Sequence, residues 1–131
     1  MRKDIEIPEV IGVSIAVVKE WNKEFEMDDW NAYIVNENDK PIEAVMVVTQ
    51  GFSTEKKTSK FRHMLGAVEA NSALKIELIQ ERVLSFRNEF SVTYFLENKL
   101  FDKKFIFRQN TINEKALQEI PYLKFKGVLV K

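Results

Sequence analysis

The chain has 131 residues, 45% of them hydrophobic, with 20 basic residues against 20 acidic ones and no cysteine. This length and apolar content fit one domain with a single core. The cancelled charge leaves no strong field to draw nucleic acid or anionic lipid, and the missing thiols exclude disulfides, thiolate metal sites and cysteine nucleophiles.

Ten Phe, two Trp and three Tyr suit pleated, half-buried surfaces better than helix interiors. The N-terminus MRKDIEIPEV is charged and lacks the apolar stretch of a signal peptide. No run approaches the roughly twenty apolar residues of a membrane span. The expected location is a bacterial-type cytosol.

Arg2 to Pro8 alternates weakly through Ile5 and Ile7 and reads as a short edge strand or an ordered arm, with Pro8 limiting its hydrogen bonding. From Ile11 to Trp21 the odd positions are apolar up to Val17 and again at Trp21, which predicts a long half-buried strand. Asn22 to Asp29 is polar apart from Phe25 and Met27 and extends that strand's end before the turn into Trp30. Two apolar runs, Trp30 to Val35 and Ile42 to Val48, then flank Asn36-Glu37-Asn38-Asp39-Lys40-Pro41. Asn and Asp tolerate left-handed backbone angles and Pro41 ends the turn, so the spacing predicts a central hairpin around which the other strands are added. Ala44, Met46 and Val48 lie on one face of its second arm, Val45 and Val47 on the other. That arm is therefore expected in the middle of a sheet, covered on both sides.

Gly51 to Lys60 has the composition of an exposed connection. Phe61, His63 and Leu65 face one way on a further strand, Ala67 to Ser72 holds a turn, and Leu74 to Leu78 alternates cleanly, as a strand with one wet face does. Glu81 to Glu89 is ambiguous between a short helical turn and an irregular strand. Phe90 to Leu96 and Phe101 to Phe107 alternate around Glu97-Asn98-Lys99 and predict a second hairpin. Asn113 to Glu119 is the one helical stretch, capped by Asn113 and closed by Pro121. It is too short to stand alone and must dock on the sheet. Gly127 to Val130 adds an edge strand or stays loose. The expected fold is all-β: a single antiparallel β-sandwich over residues 1–131, immunoglobulin-like, with about seven to nine strands and one short C-terminal helix. Residues 109–131 are a candidate extension packing on the sheet.

His63 is the only histidine, and its alternation with Phe61 and Leu65 predicts a structural or surface role rather than that of a base or ligand. One histidine and no cysteine would leave zinc to carboxylates. The acidic groups Glu24 to Asp29 and Glu37-Asn38-Asp39 lack the spacing of a calcium loop with its central glycine and read as solvated turns. Gly12, Gly51, Gly66 and Gly127 are isolated, so there is no phosphate-binding loop and no dinucleotide fingerprint. Lys56, Lys57, Lys60 and Arg62 form the sole basic cluster, with Phe52 and Phe61 nearby. Such mixtures serve single-stranded nucleic acid; the preferred reading is a lysine-rich loop guarding an edge strand. Trp21 and Trp30 are partner anchors or, preferably, fillers of the core's ends. These six basic and tryptophan residues make up the candidate interaction surface, and no catalytic, metal or cofactor-binding residue stands out.

Taken together, WNAYIVNEND, HMLGAVE and FDKKFIFRQNTINEKALQ resemble a family of small uncharacterised bacterial proteins of about this length, and the likeness covers nearly the whole chain. Some members carry the label of phenylalanyl-tRNA synthetase alpha subunit. The motif that label implies, Phe-Arg-x-Glu between antiparallel strands, occurs here as Phe86-Arg87-Asn88-Glu89. The glycine-rich ATP motif does not occur, and the chain has no room for the synthetase's catalytic domain.

The expected function is a non-enzymatic cytosolic protein-interaction or structural module without a cofactor. Its partner would be an unidentified protein or a second copy joined through an edge strand. The alternative is an RNA- or translation-associated accessory protein using the Lys56 to Arg62 cluster.

Overall fold

A computed structural model describes residues 8–131, so the expected arm falls, apart from Pro8, outside the described residues. The strands in chain order are β1 (Val13–Asn22), β2 (Met27–Asn36), β3 (Ile42–Phe52), β4 (Phe61–Val68), β5 (Ser72–Ile79), β6 (Arg87–Leu96), β7 (Lys99–Phe107) and β8 (Gly127–Val130). They form two four-stranded antiparallel sheets, β5-β2-β1-β8 and β4-β3-β6-β7. Between the sheets lies one aliphatic and aromatic layer. Ile15, Val17, Ala32 and Ile34 come from the first sheet; Val45, Val47, Phe90, Val92, Tyr94, Phe105 and Phe107 come from the second.

Local chemistry sets both tight hairpins. In the β6–β7 turn, Glu97 and Asn98 both have positive φ (50° and 67°), the backbone that matches the right-handed twist of paired strands. The second predicted hairpin is therefore present. The other hairpin joins β1 to β2 through Lys23 to Glu26. There Asn22 Oδ1 accepts the backbone N–H groups of Glu24 (2.9 Å) and Phe25 (3.2 Å), and its Nδ2 donates to Asp29 Oδ2 at 2.7 Å.

The expected central hairpin does not form. β2 pairs with β1 and β5, whereas β3 pairs with β4 and β6, and residues 37–41 carry the chain from one sheet to the other. Two apolar runs around a polar turn fit a hairpin and a corner equally well, and the inner faces decide: Ala32 and Ile34 bury across the core from Val45 and Val47 rather than beside them. β3 is central in its sheet as expected, but its outer positions Met46 and Val48 stay half-exposed. A second correction concerns β1, where Ser14, Ala16 and Val18 are buried along with the odd positions. The cover of Ala16 and Val18 is the C-terminal segment, whose Ile120 and Leu123 cluster with them and Val35 on the outer face of the first sheet.

That same cover explains why the expected C-terminal helix is absent. Only a 3₁₀ turn, Glu114–Ala116, forms, capped by Asn113 Oδ1 accepting from Lys115 N–H; Leu117 is already extended (ψ 133°). Gln118 then exchanges both backbone hydrogen bonds with Gly127 (2.8 and 2.9 Å). Seven residues gain little from helix propagation, and the extended path they take instead lets the flanking Ile112 and Ile120 bury. β8 docks beside β1 because residue 127 is glycine: a Cβ there would meet Val17 O at 2.6 Å and Val18 Cα at 2.9 Å.

Asn36, fully buried, seals one end of the sandwich. Its Nδ2 faces the carbonyls of Lys40 (3.0 Å), Val68 (3.2 Å) and Glu69 (3.0 Å), and its Oδ1 accepts from Asn38 N–H at 3.0 Å. Two protons shared among three acceptors tie the β2–β3 corner to the β4–β5 corner. Asn36→Ala is expected to cost about 3 kcal/mol, since it strands buried carbonyls in both corners; urea unfolding measures this.

Burial, and then its bond to Glu20, pushes the Tyr33 hydroxyl up to about 12, and burial alone pushes Tyr94 to about 12. Both folded values lie above the unfolded value of 10.0. The associated stability is thus complete below pH 10 and falls as pH rises toward 12. Urea unfolding across that range, with tyrosinate absorbance followed in parallel, is expected to show stability lost before the folded protein ionises these two rings.

Candidate ligand-binding cleft

β4 and β5 are the free edges on one side of the sandwich, since each pairs with a single neighbour. The corner at Glu69–Asn71 holds them together at the sealed end, and between their other ends lies a cleft of about 560 Å³. Its floor is Thr49, Ile79 and Phe90, all buried. One wall is the loop after β3, the other the crossing from β5 to β6.

Both walls are fixed by hydrogen bonds. In the first, Gly51 N–H donates to Thr58 Oγ1 (2.9 Å), Thr58 N–H donates to Gly51 O (2.8 Å) and Gln50 Nε2 donates to Thr58 O (2.8 Å). The second begins with the 3₁₀ turn Glu81–Val83, which decides the stretch read as helical turn or strand. The buried Asn88 clamps it, its Nδ2 donating to the carbonyls of Val83 (2.9 Å) and Phe86 (3.1 Å). The walls close on each other at Gly51, where a Cβ would sit 3.1 Å from Val83 Cγ1 and 3.3 Å from the Phe86 ring.

A polar bridge crosses the cleft from edge to edge. His63 Nε2 on β4 stands 2.6 Å from Glu77 Oε1 on β5, and Thr49 Oγ1 donates to the same oxygen at 3.0 Å. Glu77 faces inward because of a β-bulge. The register slips between Ala32 and Tyr33, which face Glu77 and Lys75, and Ile76 is the extra residue. This overturns the clean alternation expected for β5: Leu74 and Leu78 are 37% and 50% exposed, and a carboxylate takes an interior place.

Lys56 and Lys57 line the cleft on the first wall and Arg82 on the second. None of the three is within ion-pair distance of a carboxylate among the described residues. The lining carboxylates, by contrast, are occupied: Glu77 by His63 (2.6 Å), and Glu89 by Arg87 (2.9 Å) and Lys104 (3.2 Å). The charge left unpaired around the cleft is therefore positive.

The sequence-derived candidates are dispersed. Lys60 and Arg62 do not line the cleft; Arg62 pairs in register with Val48 and points to the outer face of its sheet. Trp30 packs half-buried against the core. Trp21 is 54% exposed beside the β1–β2 turn, near Phe25 (69%) and Met27 (54%), so it is no core filler. The two acidic groups sit at opposite ends of β2. Arg87 lies over the Phe52 ring at 4.6 Å and bonds Glu89, a strand-start role within Phe86–Glu89. Thr49, Glu77 and Arg82 carried no signal in the sequence, because a bulge and an irregular crossing place the latter two.

No Ser or Thr hydroxyl among the described residues hydrogen-bonds His63, whose ring meets Glu77. Nor do three His, Asp or Glu side chains gather into a metal-binding group among them. No described helix is long and apolar enough to cross a membrane. No protein-family model, no curated protein and no solved structure matches the chain.

Glu77→Ala removes the shared acceptor of His63 and Thr49 and is expected to cost about 1–2 kcal/mol, whereas His63→Ala, which leaves Glu77 its Thr49 bond, costs about 1 kcal/mol or less. Urea unfolding of both variants and of the double variant measures the coupling across the cleft.

Proposed function

We propose that the protein is a cytosolic, non-enzymatic binding module whose working site is the cleft between β4 and β5, and that it takes a small organic molecule with an apolar body. The observation carrying this reading is the cleft itself. A hollow of about 560 Å³ between two free sheet edges, lined by Phe61, Ile79, Val83, Phe86 and Phe90 and walled by hydrogen-bonded segments, has the size and lining of a small-molecule site. His63, Glu77 and Thr49 supply a few polar groups that orient a ligand, and no hydroxyl among the described residues hydrogen-bonds the imidazole.

The strand order supports an immunoglobulin-like sandwich within this proposal. Lettering β1 to β7 as A, B, C, C′, E, F and G turns the sheets into E-B-A and C′-C-F-G, with β8 added beside A. A role on RNA is less well supported, because Lys56 and Lys57 are separated from Arg62 by the edge of the sheet. The exposed Trp21, Phe25 and Met27 at the β1–β2 end are the place where a protein partner would find anchors.

Nile red, a neutral apolar dye, tests the proposal. The full chain is expected to bind one equivalent with a rise and blue shift in emission, and Ser59→Trp, which fills the cleft mouth from an exposed position, is expected to abolish this. Equal binding by Ser59→Trp, or no binding by the parent, contradicts the reading.

A further inference from the structure

We infer that the cleft is selective for amphipathic organic anions, a carboxylate or phosphate head on an apolar body; this rests on the binding reading above and adds the charge and orientation of the ligand. Three observations carry it. First, Lys56, Lys57 and Arg82 have no carboxylate partner among the described residues, and both lining carboxylates, Glu77 and Glu89, already have one. What sets this hollow apart is the imbalance of its lining, three Lys and Arg side chains against two carboxylates that are both already bonded.

Second, the cations stand on opposite walls. Lys56 and Lys57 belong to the loop after β3 and Arg82 to the 3₁₀ turn after β5, and all three side chains are exposed at the mouth. A head group held there would be met from both sides, with Arg82 able to offer two parallel N–H groups to one carboxylate or phosphate.

Third, the depth of the cleft repels a second charge. Below the mouth come the half-buried Val83 and Phe86 and the buried Ile79 and Phe90, where an ionised group would lose its hydration without gaining a partner. At the bottom the Glu77 carboxylate, closed by His63 and Thr49, disfavours an anion further. The only anion-compatible level is the rim, which fixes the ligand head-out and tail-in.

Lys60 and Arg62 provide an internal control. They belong to the same basic stretch of sequence but do not line the cleft, so a site reading only general basicity treats them alike with Lys57 and Arg82.

Isothermal titration of the full chain with decanoate, decyl phosphate, decanol and decyltrimethylammonium tests the inference. The expected order is the two anions first, decanol about tenfold weaker and the cation weakest, with anion binding weakening as salt is raised. Comparing decanoate with decyl phosphate tells which head group the rim prefers. Lys57→Gln/Arg82→Gln is expected to lower decanoate affinity about tenfold, while Lys60→Gln/Arg62→Gln leaves it within twofold. Decanol binding as tightly as decanoate, or equal losses in the two double variants, overturns the anion inference and leaves the binding module standing. Failure of both decanoate and decanol to bind overturns the binding module itself.

Discussion

One buried amide determines where this sandwich is shut. The chain passes between the sheets four times, after β2, β4, β5 and β7, and Asn36 gathers the first two passages into one hydrogen-bonded knot. Other contacts at that end lean on it. Asn38 donates to Ile11 O and Asn36 Oδ1, Asn71 N–H reaches Asn38 O, and Tyr122 brings the C-terminal segment in through Asn71. Nearby, the Lys40 ammonium bonds Glu97 on the β6–β7 turn and holds that carboxyl below its usual range. With the corners pinned, β4 and β5 are fixed as neighbouring edges of opposite sheets.

The cleft follows from that closure. Two edges held at one end and divergent at the other must be covered or filled, because exposed edges and apolar interiors are liabilities. This protein does neither fully. It spans the gap with the His63–Glu77 bond, braced by Thr49, and builds two rigid walls from the loop after β3 and the crossing after β5. A hydrogen-bonded polar bridge between edges avoids an unsatisfied buried carboxylate while leaving room that a hydrophobic pair would have closed. The β-bulge opposite Ala32 and Tyr33 is the device that brings Glu77 inward.

Much of the architecture was legible from alternation. The all-β class, the strand from Phe61, the hairpin around Glu97–Asn98 and the strand Gly127–Val130 all follow from period-two burial and turn chemistry. Topology was harder to read. Asn36 to Pro41 has every residue a hairpin turn uses; burial of the two arms across the core from each other makes it a corner, and the long-range bonds from Asn36 to Val68 and Glu69 pin it. The seven residues from Asn113 were helical in pattern and lost to strand exchange between Gln118 and Gly127. The site was nearly invisible. Lys56 and Lys57 stood out as charges, but Glu77 looked like the polar half of an alternating strand and Arg82 sat in an irregular stretch, and neither carries local information about what it will face across a gap.

The central claim is that ligand enters the β4–β5 cleft and no other apolar surface. Backbone amide chemical-shift mapping of the full chain titrated with decanoate tests it most directly. The account predicts shifts concentrated at residues 49–51, 56–59 and 77–83, with Arg82 among the largest. Shifts centred instead on the exposed outer face around Met46, Met64 and Phe95, or on the β1–β2 end around Trp21 and Phe25, would contradict it.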